Sequence, residues 1–223
     1  MSVNGDVLDV ARQRLAAEAD AITALIAGLD EDFVRAAALI LDTPGKVFIG
    51  GSGTSGAVAR RMAHVFSVTG TPAVFLSPMD ALHGASGAIG PADAVILISN
   101  GGASSEVIES ARIAASHGAR IIAITRGHET PLAREADHSL LVAVHGDADI
   151  GGTIATGITL AQSALGDALA EVLMRARGYT WAQFMHTHPA GAVGMREQLP
   201  EDLPRLELPG LDELPARAKT VRA

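Results

Sequence analysis

The sequence predicts an α/β fold, with a parallel sheet wound on both faces by helices into a three-layer αβα sandwich. Three observations predict it. Short β-branched runs alternate with helical patterns from residue 46 to residue 177. The runs are continuously apolar, as in strands covered on both faces. The connections between them are of crossover length, which parallel neighbours require.

The elements follow in order. Leu8, Ala11, Leu15, Ala19, Ile22 and Ile26 fall at helical spacing. Asp30 reads as the N-cap of a second helix with Phe33, Ala36, Ala37 and Ile40 inward, and Thr43-Pro44-Gly45 stops it. Five strands are expected at 46–50, 73–76, 94–99, 120–125 and 138–142. Helices are expected at 55–68, 104–117 and 132–136, then a long one over 151–177 and a short one over 180–185. The domain proper spans 1–200. From 201 to 223 the chain turns acidic and proline-punctuated (Pro204, Pro209, Pro215), as an extended arm or a disordered end would.

Composition narrows the function. The chain has 223 residues, 48% hydrophobic but only 3% aromatic. Such a core is built of Ala, Val, Ile and Leu and offers no stacking platform for bases. A formal charge of −8 also argues against nucleic acid. With no cysteine, disulfides, thiolate nucleophiles and Cys-bound metals are excluded. No apolar run reaches the roughly 18–20 residues that span a bilayer. The first residues lack a signal-peptide pattern, so a cytoplasmic location is expected.

Two turns carry the chemistry. The first strand ends in Gly50-Gly51-Ser52-Gly53-Thr54-Ser55-Gly56, and the third in Ser99-Asn100-Gly101-Gly102-Ala103-Ser104-Ser105-Glu106. Each opens a helix. Free backbone N–H groups, hydroxyls and the positive end of a helix dipole suit an anion. In doubly wound sheets, ligands bind outside the carboxyl ends of the strands. Residues 51–56 also fit Gly-x-Gly-x-x-Gly literally. A dinucleotide site needs an acid at the end of the next strand, and Phe75-Leu76-Ser77-Pro78 supplies none. No Gly-Lys-Ser/Thr occurs, which excludes a Walker A loop.

The motifs 51–56, Thr69-Gly70-Thr71-Pro72-Ala73, His83-Gly84, Ile98-Ser99-Asn100-Gly101-Gly102, Gly166-Asp167-Ala168-Leu169, Ala176-Arg177-Gly178 and His188-Pro189-Ala190-Gly191-Ala192-Val193-Gly194 occur in that order. Together they resemble the SIS (sugar isomerase) domain family, in particular its arabinose-5-phosphate isomerase branch. The resemblance covers roughly residues 30–196. It implies a five-stranded, flavodoxin-like parallel sheet, an anionic sugar ligand and a homodimer or homotetramer. It implies aldose–ketose isomerisation through an enediol, without metal or other cofactor. The branch often carries C-terminal CBS domains, and this chain reads as the stand-alone form.

Site residues follow from the same resemblance. Glu106 matches the catalytic base, although a first-turn acid can simply complement the dipole. His188 matches a histidine that enters a neighbouring subunit's site to move a proton or open the ring. His83 matches a further active-site histidine, or packs a loop. Asp147 falls where the branch has glutamate, and one methylene less sets its carboxylate about 1.5 Å back. Asp149 or a plain solvated acid are the alternatives there. Gly51, Ser52, Gly53, Thr54, Ser55, Ser99, Asn100, Ser104 and Ser105 are the expected substrate-binding positions. Thr54 departs from the usual lysine, Gly101 from a common serine, and Gly152-Thr153-Ile154-Ala155-Thr156 from a run of hydroxyls. A neutral donor holds an anion less strongly than a charged one. The anion is therefore a phosphate held more weakly or another group such as a sulfonate, and a sugar-phosphate-binding module without turnover is the other alternative. The long helix and the first two helices have apolar surface to spare, and a symmetry mate is expected to cover it.

Overall fold

The structure, a computed structural model, describes residues 3–190, 194–196 and 198–215. Helices α1 (Val3–Gly28) and α2 (Glu31–Leu41) precede the first strand. There follow β1 (Val47–Gly51), α3 (Gly53–Val68), β2 (Ala73–Phe75), α4 (Pro78–Leu82), a 3-10 turn at Ala85–Ala88, β3 (Ala94–Ile98) and α5 (Ser105–Ser116). Then come β4 (Arg120–Thr125), α6 (Pro131–Glu135), β5 (His138–Leu141), α7 (Gly157–Arg177) and α8 (Trp181–Thr187). The five strands are parallel in the order β2-β1-β3-β4-β5. The order reverses direction between β1 and β3, the pair with Gly51 in register with Ile98.

Both faces of the sheet are dry, which explains the unbroken apolar strands. Val47, Ile49, Ile96, Ile98, Ile122 and Ile124 pack on α2, α3 and α7. Their neighbours Phe48, Val95, Leu97, Ile121 and Ala123 face α5 and α6 through Val107, Ala111 and Leu132. Alternate side chains leave opposite faces of a strand, so burial of both sets requires apolar residues throughout.

The N-terminal helices form as expected. Asp30 accepts the Asp32 N–H at 2.9 Å as the cap of α2. The large apolar residues that mark α1 as a helix lie on its outer side. Ala21 and Leu25 pack inward, while Leu8, Leu15, Ile22 and Ile26 are 52, 68, 38 and 72% exposed. Small alanines suffice against α7, so the bulkier stripe is left outside.

The long helix starts later than the spacing suggests, at Gly157 and not Gly151. Gly151 and Gly152 both take φ of +60°, which reverses the chain into a small Ile150–Ile154 bridge. Only glycine holds such angles at little cost, and no right-handed helix passes through them. The short helical turn ahead of His83 is Pro78–Leu82, with Ser77 as its cap. The described part of the C-terminal tail is an ordered strap. Leu208 and Leu211 pack on the core, and Arg35 donates to the Pro215 carbonyl. Among the described residues, no helix is long and apolar enough to cross a membrane.

Candidate active site

The two glycine turns emerge side by side, because adjacent parallel strands lie only about 4.8 Å apart. In the first, Ser52 is the N-cap of α3 and Gly53 follows at φ +58°. A side chain on Gly56 would stand 2.7 Å from the Gly51 carbonyl, so the turn closes only with glycine there. In the second, the Asn100 carbonyl accepts from the Arg126 N–H and the Thr125 hydroxyl, both at 3.0 Å. Ser99 and Ser104 face each other across the turn with hydroxyls 3.3 Å apart. Neither Ser52 nor Ser104 spends its hydroxyl on capping its own helix. Thr54 is exposed on the first turn of α3, Ser55 is half-buried beside it, and Ser105 is exposed at the start of α5.

Glu106 joins the two turns. It stands in the first turn of α5, half-exposed. Its carboxyl is held below the ordinary carboxylate range, first by the Ser52 hydroxyl, then by its own backbone N–H, with burial opposing and Ser105 adding to the lowering. The group is an anion at neutral pH, the form a proton acceptor needs. Glu106 and Ser105 line an open groove of about 600 Å³ with Met79, Leu82 and Ile108. His83 follows Leu82 as the C-cap of α4 and is exposed. Ser110 ties α4 to α5 by donating to the Pro78 carbonyl at 3.2 Å. Among the described residues, no hydrogen bond joins His83 to Glu106.

The loop before α7 belongs to the same edge. A Cβ on Gly166 would stand 2.6 Å from Met62, so α7 and α3 touch there. Each contact residue lies nine positions into its helix (Gly157 to Gly166, Gly53 to Met62), and both helices return against the strands. The N-terminus of α7 therefore lies beside the first glycine turn. The structure tells the two candidate acids apart. Asp149 is taken up as a cap, accepting from the N–H groups of Thr156 at 2.9 Å and Ile158 at 3.1 Å. Asp147 is exposed, and among the described residues its carboxylate has no hydrogen bond. Its backbone is clasped from α1, where Arg14 donates to the carbonyls of Asp147 and of Ala148, the latter at 2.6 Å. Nothing in the spacing foretells that clasp, which spans 133 residues. The Asp149 cap was equally hidden, because it reaches over the Gly151-Gly152 reversal to a helix beginning eight residues on.

His188 lies elsewhere. Helix α7 runs about 30 Å from the glycine turns to the opposite edge of the sheet. There Arg177 donates to the Ile40 carbonyl at 3.3 Å and to Thr71, just ahead of β2, at 3.2 Å. Helix α8 starts from that edge and ends at His188. The structure does not bring His188 together with Glu106 within one chain. Its Nδ1 stands 2.9 Å from the Phe184 carbonyl, and its ring stacks on Phe184 at 3.9 Å. Gly191, Ala192 and Val193 of its motif lie outside the described residues.

Comparison with known proteins accords with this architecture. The SIS domain family matches residues 40–172. Arabinose 5-phosphate isomerase KdsD of Pseudomonas aeruginosa is 37% identical over 199 residues, covering 88% of this chain and 60% of that protein. KdsD of Escherichia coli K12 is 37% identical over 191 residues, 86% of this chain and 58% of that protein. The chain thus spans under two thirds of the length of these curated relatives. Among solved structures, the c3406 protein of E. coli CFT073, in complex with arabinose 5-phosphate, superposes with a TM-score of 0.81 at 31% identity. That match covers 85% of this chain and all of the other. Strand order, paired glycine turns and matched sequence together make this chain a member of the SIS domain family.

Proposed function

We propose that the chain is an aldose–ketose isomerase of a phosphorylated sugar of the arabinose 5-phosphate kind. The observation that carries this is the anionic Glu106, reached by the Ser52 hydroxyl across the switch point of the sheet, beside hydroxyls that no helix cap takes up. The similarity to KdsD and to a structure holding arabinose 5-phosphate supports the choice of substrate class.

The phosphate rests on the two turns, against the N–H groups at the starts of α3 and α5 and the hydroxyls of Ser55, Ser99, Ser104 and Ser105, with Asn100 beside them. The binding energy of that end orients the reacting end of the open-chain sugar. Glu106 removes the proton from the carbon next to the carbonyl, giving an enediol, and returns it to the former carbonyl carbon. The hydroxyl proton crosses between the two oxygens in the same cycle, carried by an imidazole. His83, exposed beside Leu82 of the groove, and His188 of a second copy are the imidazoles proposed for that work.

His188 serves the site of a second copy. Its own site is at the opposite edge, and α8 is only about 10 Å long. The exposed stripe of Leu8, Leu15 and Ile22 on α1 gives a second copy a surface to cover, so we propose a homodimer or homotetramer. A cytoplasmic setting fits a cysteine-free chain acting on sugar phosphates.

The test is proton exchange followed by NMR in deuterated water on arabinose 5-phosphate with ribulose 5-phosphate, glucose 6-phosphate with fructose 6-phosphate, and sulfoquinovose with its ketose. Solvent deuterium at C2 of a phosphosugar, abolished in Glu106→Gln, is the expected result. Ligand-induced shifts without exchange on every member would overturn it in favour of a binding module.

A further inference from the structure

We propose that the C-terminal strap, acting through Trp181 and Phe184, sets the position and tautomer of His188, which makes these two aromatics positioning residues for the reaction. The proposal rests on the role of His188 given above.

The contacts form one continuous path. The strap crosses the end of α7, where Arg175 donates to the Pro204 carbonyl at 2.9 Å and accepts the Leu206 N–H through its own carbonyl at 3.4 Å. At the start of α8 it grips Trp181 twice. Asp202 accepts the Trp181 backbone N–H at 2.8 Å, and the Glu201 carbonyl accepts the indole N–H at 3.0 Å. The indole meets Phe184 edge-on, with centroids 5.9 Å apart at 85°. Phe184 in turn lies flat on His188, with centroids 3.9 Å apart at 24°. A helix of seven residues with no buried side chain has little else to hold its orientation.

The path ends in a chemical consequence. A carbonyl oxygen has no proton to give, so the 2.9 Å contact between His188 Nδ1 and the Phe184 carbonyl requires the proton on Nδ1. The Thr187 hydroxyl already donates to that carbonyl at 2.9 Å, and its oxygen lies 3.1 Å from the same Nδ1. Nε2 is thereby left as the lone-pair nitrogen, on the side of the ring away from α8. A histidine that must accept a proton in a second copy's site is delivered in the acceptor tautomer, by the hydrogen bond its other nitrogen makes.

Four variants of the full chain test this: Phe184→Leu, Asp202→Ala, His188→Ala and the Phe184→Leu/His188→Ala double. Phe184→Leu and Asp202→Ala should each lower kcat roughly 10- to 100-fold, with KM within about twofold. The double variant should be no slower than His188→Ala alone, because a positioning residue is silent once its target is gone. Nitrogen-15 NMR of the imidazole should show His188 protonated at Nδ1 in the parent chain and a tautomer mixture in Phe184→Leu. Asp202 is a surface side chain, so its variant reports even if Phe184→Leu fails to fold. A double variant slowed by the product of the two single effects would overturn the proposal, as would an unchanged tautomer in both Phe184→Leu and Asp202→Ala. Full turnover in His188→Ala would instead remove the histidine from the reaction, while the tautomer measurement still decides what positions its ring.

Discussion

The hydroxyl of Ser52, on the turn after β1, reaches toward the carboxylate of Glu106, on the first turn of α5, and is the first cause that holds it below the ordinary carboxylate range. The two residues are 54 positions apart in sequence and meet because β1 and β3 are neighbours in register. The contact links the two glycine turns and favours the charged form of the proposed base.

Ser52→Ala should move the acid limb of kcat/KM to higher pH. The Ser52 hydroxyl is the largest cause that holds the Glu106 carboxyl below its ordinary range. Without it the group protonates at a higher pH, and the limb that reports the free enzyme's base moves with it. The sign for stability is the same. A lowered folded value contributes stability above the unfolded value, which is lost as pH falls through the folded one. A pH–rate profile of the variant checks this, and an unmoved acid limb would detach Glu106 from the base role.

Glu106→Gln should lower kcat about 10²- to 10⁴-fold, the typical contribution of a positioned acid or base. The amide keeps the side chain's size and its contact with Ser52, so KM should change little. Steady-state kinetics on the phosphosugar that shows deuterium exchange measures both terms.

Gly56→Ala should destabilise the fold by about 1–3 kcal/mol, the usual range for forcing a methyl into a packed site. The added Cβ stands 2.7 Å from a backbone oxygen, which has no flexible end to yield. The affected carbonyl belongs to Gly51, so the anion site should open as well. Urea unfolding and phosphosugar affinity should both worsen.

Asp149→Ala should cost about 0.5–2 kcal/mol, as removal of a helix cap does. Two N–H groups at the start of α7 lose their acceptor. Asp147→Ala should leave stability within about 0.5 kcal/mol, as an exposed carboxylate without a partner would. Thermal unfolding of the two variants side by side separates the cap from the open acid.

Inactive Glu106→Gln and inactive His188→Ala chains should restore activity when assembled together. A shared site made of Glu106 from one copy and His188 from another is whole once in each mixed dimer. Random dimers of a 1:1 mixture should regain about a quarter of parental activity. No recovery after co-refolding would place His188 outside a neighbour's site.

Much of the site was legible along the chain because its parts are local. A glycine turn is a matter of φ angles and missing Cβ atoms, and each turn carries its hydroxyls within a few residues. The strand runs were legible for a related reason, since burial on both faces leaves no room for alternation. The stripe on α1 was legible as a helical pattern, but which α1 residues pack inward was not, because periodicity shows that a helix has an apolar side and not what covers it. Helix α7 was begun six residues early, because Gly151 and Gly152 sit inside an otherwise helical pattern and only their left-handed angles break it.

The sequence by itself determined the strands, most of the helices, the two glycine turns and which residues are candidates for moving protons. Only the tertiary structure decided which of them meet. It brought Ser52 to Glu106, set Asp149 to capping while leaving Asp147 open, clasped the loop with Arg14 and sent His188 to the far edge. The physical reason is one of range. Backbone angles and apolar periodicity act over a few residues, whereas these contacts are fixed by strand order and by the close approach of α3 and α7, which no local pattern contains.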